Sequence, residues 1–217
     1  MDRIITVKGI GTVNAKPDLV IITMNLESHM YEYDQTIKLA TKSENTITSA
    51  IESVGFDQTD LKTSHFNVRP HYEQYRDEKD NYKNRFNGYI CEQSLKLAFD
   101  LDTKIMSDVL NAVAKTEVNP GLDIQFSIKD ETAIGEELIV QAAKNAKEKA
   151  EILAKAAGVN LGDLINIDYN WAELSLYSST NYDLNDHHLL REARVPEIHP
   201  EEINVKDTAT FVWEIKS

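Results

Sequence analysis

The residue types best suited to hold a metal ion gather near the end of the chain: Asp186, His187, His188, Glu192 and His199. Imidazole and carboxylate are ligand types that zinc and related ions take. Adjacent histidines in a strand point to opposite faces, so His187 and His188 converge on one ion only where the backbone is irregular. No HExxH pattern and no spaced Cys/His set accompanies them. The expectation is a solvated acidic-histidine loop. A small-ligand or metal-binding enzyme using the His187/His188 loop is the alternative. His65 stands alone on the polar face of a strand pattern and reads as structural or exposed.

Other chemistry is thinner. Cys91 is the one cysteine, so no intrachain disulfide forms and the redox compartment is not reported. It has apolar neighbours two residues away on either side and no paired histidine in sequence, which describes a buried thiol better than a nucleophile. Glu136-Glu137 and Glu201-Glu202 are adjacent pairs. On a helix adjacency turns side chains about 100° apart, so such a pair is no acid/base couple. Ser178-Ser179 lies in a polar loop without the G-x-S-x-G turn of a nucleophile elbow. Gly9-Ile10-Gly11 leads through Pro17 into another strand pattern, so no helix N-terminus faces the glycines and a phosphate loop is rejected. Trp171 and Trp213 alternate with polar neighbours and read as core or subunit contacts. No catalytic, cofactor-binding or metal-ligating residue is assigned, and no cofactor is expected.

The 217 residues suffice for one large domain or two small ones, and the −13 formal charge argues against nucleic acid and anionic membrane as partners. The acidity reads as a solubility device, with recruitment of a basic protein partner as the other reading. No apolar run approaches the roughly 18–20 residues of a membrane span, and MDRIITVKG carries no apolar export segment. A cytoplasmic chain is therefore expected, as the sequence stands.

The elements must position whatever function there is. Asp130 to Gly158 is the longest helical signal, with Leu138, Ala142, Ala146, Ala150, Leu153 and Ala157 on one face and Gln141, Lys144, Lys147, Glu148, Glu151 and Lys155 in water. The small inward side chains predict a helix lying tightly on a sheet. Gly9 and Gly11 predict a bulge or a close backbone approach in the first strand, Ile4 to Val13. Asp18 to Glu27 is expected to form a hairpin with it. Asp34 is expected to cap a helix ending at Gly55, and Asp102 or Thr103 the next, with Ile105, Met106, Val109, Leu110 and Val113 inward. Tyr89 to Leu101 is the cleanest half-buried strand. A polar stretch around 71–88 with three tyrosines reads as a long exposed hairpin connection with room for strand ends to extend into it, either solvated or partner-binding. A second irregular stretch, around 173–203, is either mobile or used for contacts. The fold class is α+β: one or more antiparallel sheets of about seven strands in all, with three helices packed on one face, in the order β-β-α-β-β-α-β-α-β-β, as one intertwined domain over residues 1–217.

These pieces also resemble a family. Val7 to Val13 followed by Pro17-Asp18 is similar to the opening of SIMPL-domain proteins, formerly a family of unknown function. Gly55-Phe56, Asp60 to Thr63 and Arg69 to Tyr72 resemble its second block, and Gly88-Tyr89 the start of its central strand. Ala150 to Gly158 with Leu161-Gly162 resembles its best-marked segment, and Pro200 to Val205 its last motif. The resemblance implies an α+β fold, no established enzymatic activity, frequent export to the bacterial envelope, and ring- or channel-like homo-oligomers in some members. It also implies a tie to oxidative-stress tolerance in some members, and adaptor work in kinase signalling in an animal relative. Two departures from the family are expected: no export leader is read in MDRIITVKG, and Glu201 stands where glycine is usual. The function expected is that of a self-associating, non-enzymatic protein with an interaction or stress-related role.

Overall fold

The computed structural model describes residues 3–78, 80–170, 174–180, 182–184 and 199–216. Trp171, Asp186, His187, His188 and Glu192 lie outside them. The chain divides into two compact units, each assembled from separated stretches.

Unit 1 comprises Met1–Asp18, Ser127–Ser179 and Pro200–Ser217. Its sheet has the order β1-β8-β6, built from β1 (Ile4–Ala15), β6 (Asn160–Asp168) and β8 (Ile203–Lys216), all antiparallel. The expected hairpin between the first two strands does not form: β1 pairs with β8 from Ile4↔Glu214 to Ala15↔Ile203. The chain turns away after Pro17, where Asp18 is held by Ser127 and Lys129: its N–H donates to the Ser127 carbonyl at 3.0 Å, and its Oδ1 accepts from Lys129 N–H at 2.8 Å.

One helix, α3 (Glu131–Ala156), lies on that sheet. Asp130 Oδ1 caps it by accepting from Ala133 N–H at 2.9 Å, and Gly158 ends it at φ +72°. Its buried face is Leu138, Ala142, Ala146, Ala150 and Ala154, a strict i+4 series. Leu153, expected inward, is 51% exposed, because the i+4 row drifts one position from the expected stripe. The glycines of β1 meet this row. A Cβ on Gly9 would lie on the Ala142 carbonyl oxygen and 2.8 Å from Ala146 Cβ; one on Gly11 would lie on the Leu138 carbonyl. The close approach expected of these glycines is therefore a helix seat. Phe211 and Trp213, stacked at 5.5 Å between ring centroids, complete this core with Val7 and Ala209.

Unit 2 comprises Leu19–Phe126 and Thr180–His199. Its sheet has the order β3-β4-β2-β5-β7. The strands are β2 (Leu19–Met30), β3 (Leu61–Arg76), β4 (Tyr82–Asp100), β5 (Gly121–Ser127) and the short β7 (Tyr182–Leu184). The last of these falls in the stretch read from sequence as irregular. Helices α1 (Tyr33–Glu52) and α2 (Thr103–Ala114) supply the rest of its core. Val20, Ile22, Met24 and Leu26 from β2, Leu95, Leu97 and Phe99 from β4, and Leu122, Ile124 and Phe126 from β5 meet Ile47, Ile51, Met106, Val109, Leu110 and Val113. Period-2 and period-3.6 patterning thus converge on one apolar interior. Two expectations are corrected here. The N-cap of α1 is Glu32, with no side-chain cap bond, while Asp34 sits in the first turn. Ile105 is 37% exposed, whereas Asp102 caps α2 as expected, accepting from Lys104 and Ile105 N–H.

Candidate interaction surface

The stretch read as a polar connection is mostly strand. β3 and β4 stay paired from Tyr72↔Phe86 to Arg76↔Tyr82, whereas β2 ends at Met30 opposite Tyr89. A two-stranded arm therefore continues beyond the end of β2. Such a ribbon is marginal alone in water, and its side chains show what supports it. Arg85 donates to Glu73 at 2.7 Å, Arg76 to Asp80 at 2.7 Å, and Lys83 to Asp77 at 2.9 Å. The Arg76 guanidinium lies 4.7 Å from the Tyr82 ring centroid and that of Arg85 5.8 Å from Tyr75, both within cation–π range. The hydrogen bonds that Arg76 donates to Tyr82 and Asp80 hold it more basic than usual, and the bond donated to Glu73 does the same for Arg85.

At the base of the arm five rings touch edge to face. Tyr31, Tyr72 and Tyr89 surround Phe86 at 5.4–5.8 Å, and Tyr33 follows Tyr89 at 5.5 Å. Gly88 makes this junction: its φ is +93°, and a Cβ there would lie on the Met30 carbonyl and 2.7 Å from Tyr31 Cα. His29 Nε2 donates to the Asn87 carbonyl at 2.5 Å, and the His29 and His71 rings meet edge to face at 5.1 Å. Tyr72 and Tyr82 remain 57% and 61% exposed. Tyrosine and arginine are the residues that protein interfaces favour. From His71 to Asn87 four acids, Glu73, Asp77, Glu78 and Asp80, are matched by four bases, Arg76, Lys79, Lys83 and Arg85. The arm is formally neutral in a chain of charge −13.

The other residues weighed for chemistry are dispersed. Cys91 is buried, and burial pushes its thiol above the ordinary range, the reverse of nucleophile activation. His65 is exposed on the face where Arg69 donates to Glu92 at 2.8 and 3.2 Å. That contact holds the Glu92 carboxyl below its usual range. Glu136 and Glu137 are exposed on α3, and Glu137 accepts from Gln141 at 3.0 Å. Ser179 donates to Glu201 at 2.6 Å and Ser178 to the Glu201 carbonyl at 2.8 Å, which ties two loops of unit 1 together. Trp213 is core, and His199 is exposed. Among the described residues no group of three or more His, Cys, Asp or Glu could hold a metal ion. The His187/His188 alternative lies outside the described residues. No described helix is long and apolar enough to cross a membrane.

Residues 5–213 match the family described as SIMPL, protein of unknown function (DUF541). The chain is also similar to the 26 kDa periplasmic immunogenic proteins of Brucella melitensis and Brucella abortus, at 28% and 27% identity over 164 residues. Each match covers 75% of this chain and 65% of the Brucella protein. An uncharacterized protein of Edwardsiella ictaluri, YggE, is 20% identical over 166 residues, covering 76% of this chain and 67% of that protein.

Proposed function

The chain belongs to the SIMPL family, and from that premise we propose that it is a non-enzymatic, self-associating protein with a stress-related role, whose contact surface is the β3–β4 arm. One observation carries this reading: the arm exposes Tyr72, Tyr75 and Tyr82 beside arginines on a formally neutral ribbon. Two copies charged −13 repel each other, and the formally neutral arm adds no net charge to that repulsion. Aromatic rings already clustered at its base lose little rotamer freedom on being covered.

Sedimentation velocity across micromolar concentrations tests the reading. The expected result is an assembly that Tyr72→Ser with Tyr82→Ser dissociates, leaving the circular dichroism spectrum unchanged. A strict monomer at every concentration sinks it. The stress role is tested by peroxide challenge of cells lacking the protein, with restored survival by the parent chain and not by the arm variant. Cell fractionation decides whether the chain shares the compartment named for its Brucella relatives or is cytoplasmic.

A further inference from the structure

A second surface of unit 2 points to a different partner. Register places Phe66 opposite Gln93 and Val68 opposite Cys91, so the β3 side chains at these positions face the side of the sheet that α1 covers. But α1 packs over β2 and β4. The β3 row is left open: Phe66 is 55% exposed and Pro70 exposed, with Val68 half-buried. β3 is also the outer strand, and its second edge meets no strand among the described residues. Gln93, at the floor of this strip, is 4% exposed, and its Oε1 has no hydrogen-bond partner among the described residues.

The opposite face of the same edge has a charge of its own. Lys62 and Lys96 stand directly across from each other, a like-charge pair, and neither forms an ion pair among the described residues. His65 is exposed beside them, and Arg69 is already answered by Glu92. On the helix side, by contrast, the edge presents the apolar side chains of Phe66 and Val68. The edge thus asks for acidic groups on one side and uncharged apolar groups on the other. Register breaks at Thr63/His65 and Pro70/Tyr72 bound one regular stretch, His65 to Pro70.

We propose that the β3 edge from Lys62 to Pro70, with His65 to Pro70 as its regular part, accepts an extended peptide as an added antiparallel or parallel strand. Its apolar side chains cover Phe66 and Val68, and its alternate side chains are acidic and face Lys62 and His65. Backbone hydrogen bonds supply the attraction, and the alternation supplies the selectivity. This goes beyond self-association through the arm and does not depend on it.

The test is fluorescence anisotropy of the full chain with an eight-residue labelled peptide alternating valine and glutamate. Controls are a lysine-for-glutamate version and a version with alternate backbone amides N-methylated. Expected is at least tenfold tighter binding of the glutamate peptide than of the lysine peptide. Lys62→Glu removes that preference, Phe66→Ser weakens binding at least fivefold, and N-methylation abolishes it. Both substituted side chains are exposed, so the fold is retained, and amide resonances of residues 65–70 are expected to shift on titration. Equal binding of the two peptides, no binding up to millimolar concentration, or binding that survives Phe66→Ser overturns the proposal. So does a change in sedimentation on Phe66→Ser with no peptide bound, which would assign the strip to a second copy of the chain.

Discussion

Asn145 Oδ1 accepts a hydrogen bond from the backbone N–H of Ile10 at 3.1 Å, joining the middle of α3 to the edge of β1 that β8 leaves open. Gln141 Oε1 accepts from Thr12 N–H at 3.2 Å, and Lys149 Nζ donates to the Lys8 carbonyl at 3.3 Å. The three side chains recur every fourth residue, so they form one row along the helix, next to the alanine row that seats on Gly9 and Gly11. An unpaired strand edge is a template for another chain. Here the helix that fills the core also closes the edge.

Removing that closure is expected to cost stability and to expose the template. Gln141→Ala with Asn145→Ala deletes two hydrogen bonds, each worth about 0.5–1.5 kcal/mol. Urea unfolding is expected to show a lower midpoint, corresponding to a loss of about 1–3 kcal/mol in stability. Light scattering near the thermal midpoint is expected to rise faster than for a destabilised control with the edge intact. Unchanged scattering would mean that the row contributes stability alone.

The glycine seat gives an asymmetric pair of outcomes. Gly9→Ala puts a methyl onto the Ala142 carbonyl, between rigid backbones, and is expected to cost at least about 3 kcal/mol or to prevent unit 1 from folding. Gly135→Ala adds the same methyl inside α3, where its nearest neighbour is Leu174 Cδ1 at 3.7 Å. There it removes a flexible glycine from a helix and is expected to stabilise by about 0.5–1 kcal/mol. Chemical denaturation of both variants reads the contrast, and a stable Gly9→Ala protein would show that α3 seats less closely than described.

How much of this was legible in the residues differs between elements. The alternation of Leu95, Leu97 and Phe99 and the spacing of Met106, Val109, Leu110 and Val113 located strand and helix, because each pattern follows from local geometry. The glycines announced a close approach but not what approaches. The pairing of β1 with β8 was hidden because its partners lie some two hundred residues apart, and hairpin proximity favoured β2. Gln141 looked solvent-bound because a polar residue beside an apolar stripe reads the same whether it meets water or a strand edge. The extent of the arm was masked by composition: the polar connection leaves room for strand ends, but ion pairs such as Glu73–Arg85 make a strand look like a loop. For the candidate surface, the three tyrosines drew attention to the stretch that carries the proposed contact, while the Phe66 strip gave no signal, since an inward residue left uncovered looks like any other inward residue.

The Arg69–Glu92 contact sets a titration. Arg69 holds the Glu92 carboxyl below the ordinary carboxylate range, so the contact adds stability above the unfolded-state pKa near 4.3 and loses it as pH falls through the lower folded value. Side-chain carboxyl NMR is expected to show Glu92 titrating below that value, and Arg69→Met is expected to return it to the ordinary range. An unmoved titration on removal of Arg69 would contradict the assignment.

Cys91 carries the opposite sign. It is 1% exposed, and burial, with Glu92 and Glu44 adding repulsion, raises its thiol above the ordinary range. A raised folded pKa favours the native state fully below the unfolded thiol pKa near 8.5, and that contribution is lost as pH rises through the folded value. Two readouts follow. At neutral pH a disulfide reagent is expected to label Cys91 only at the rate of opening of unit 2, and to label it at once in urea. From about pH 8.5 upward, stability of the parent chain is expected to fall more steeply than that of Cys91→Ala, which has no thiolate to release. Cys91→Ala itself is expected to lose a modest amount at neutral pH, through the smaller side chain in a closed core. Rapid labelling of the native protein at neutral pH would show instead that the thiol is reachable and available for chemistry.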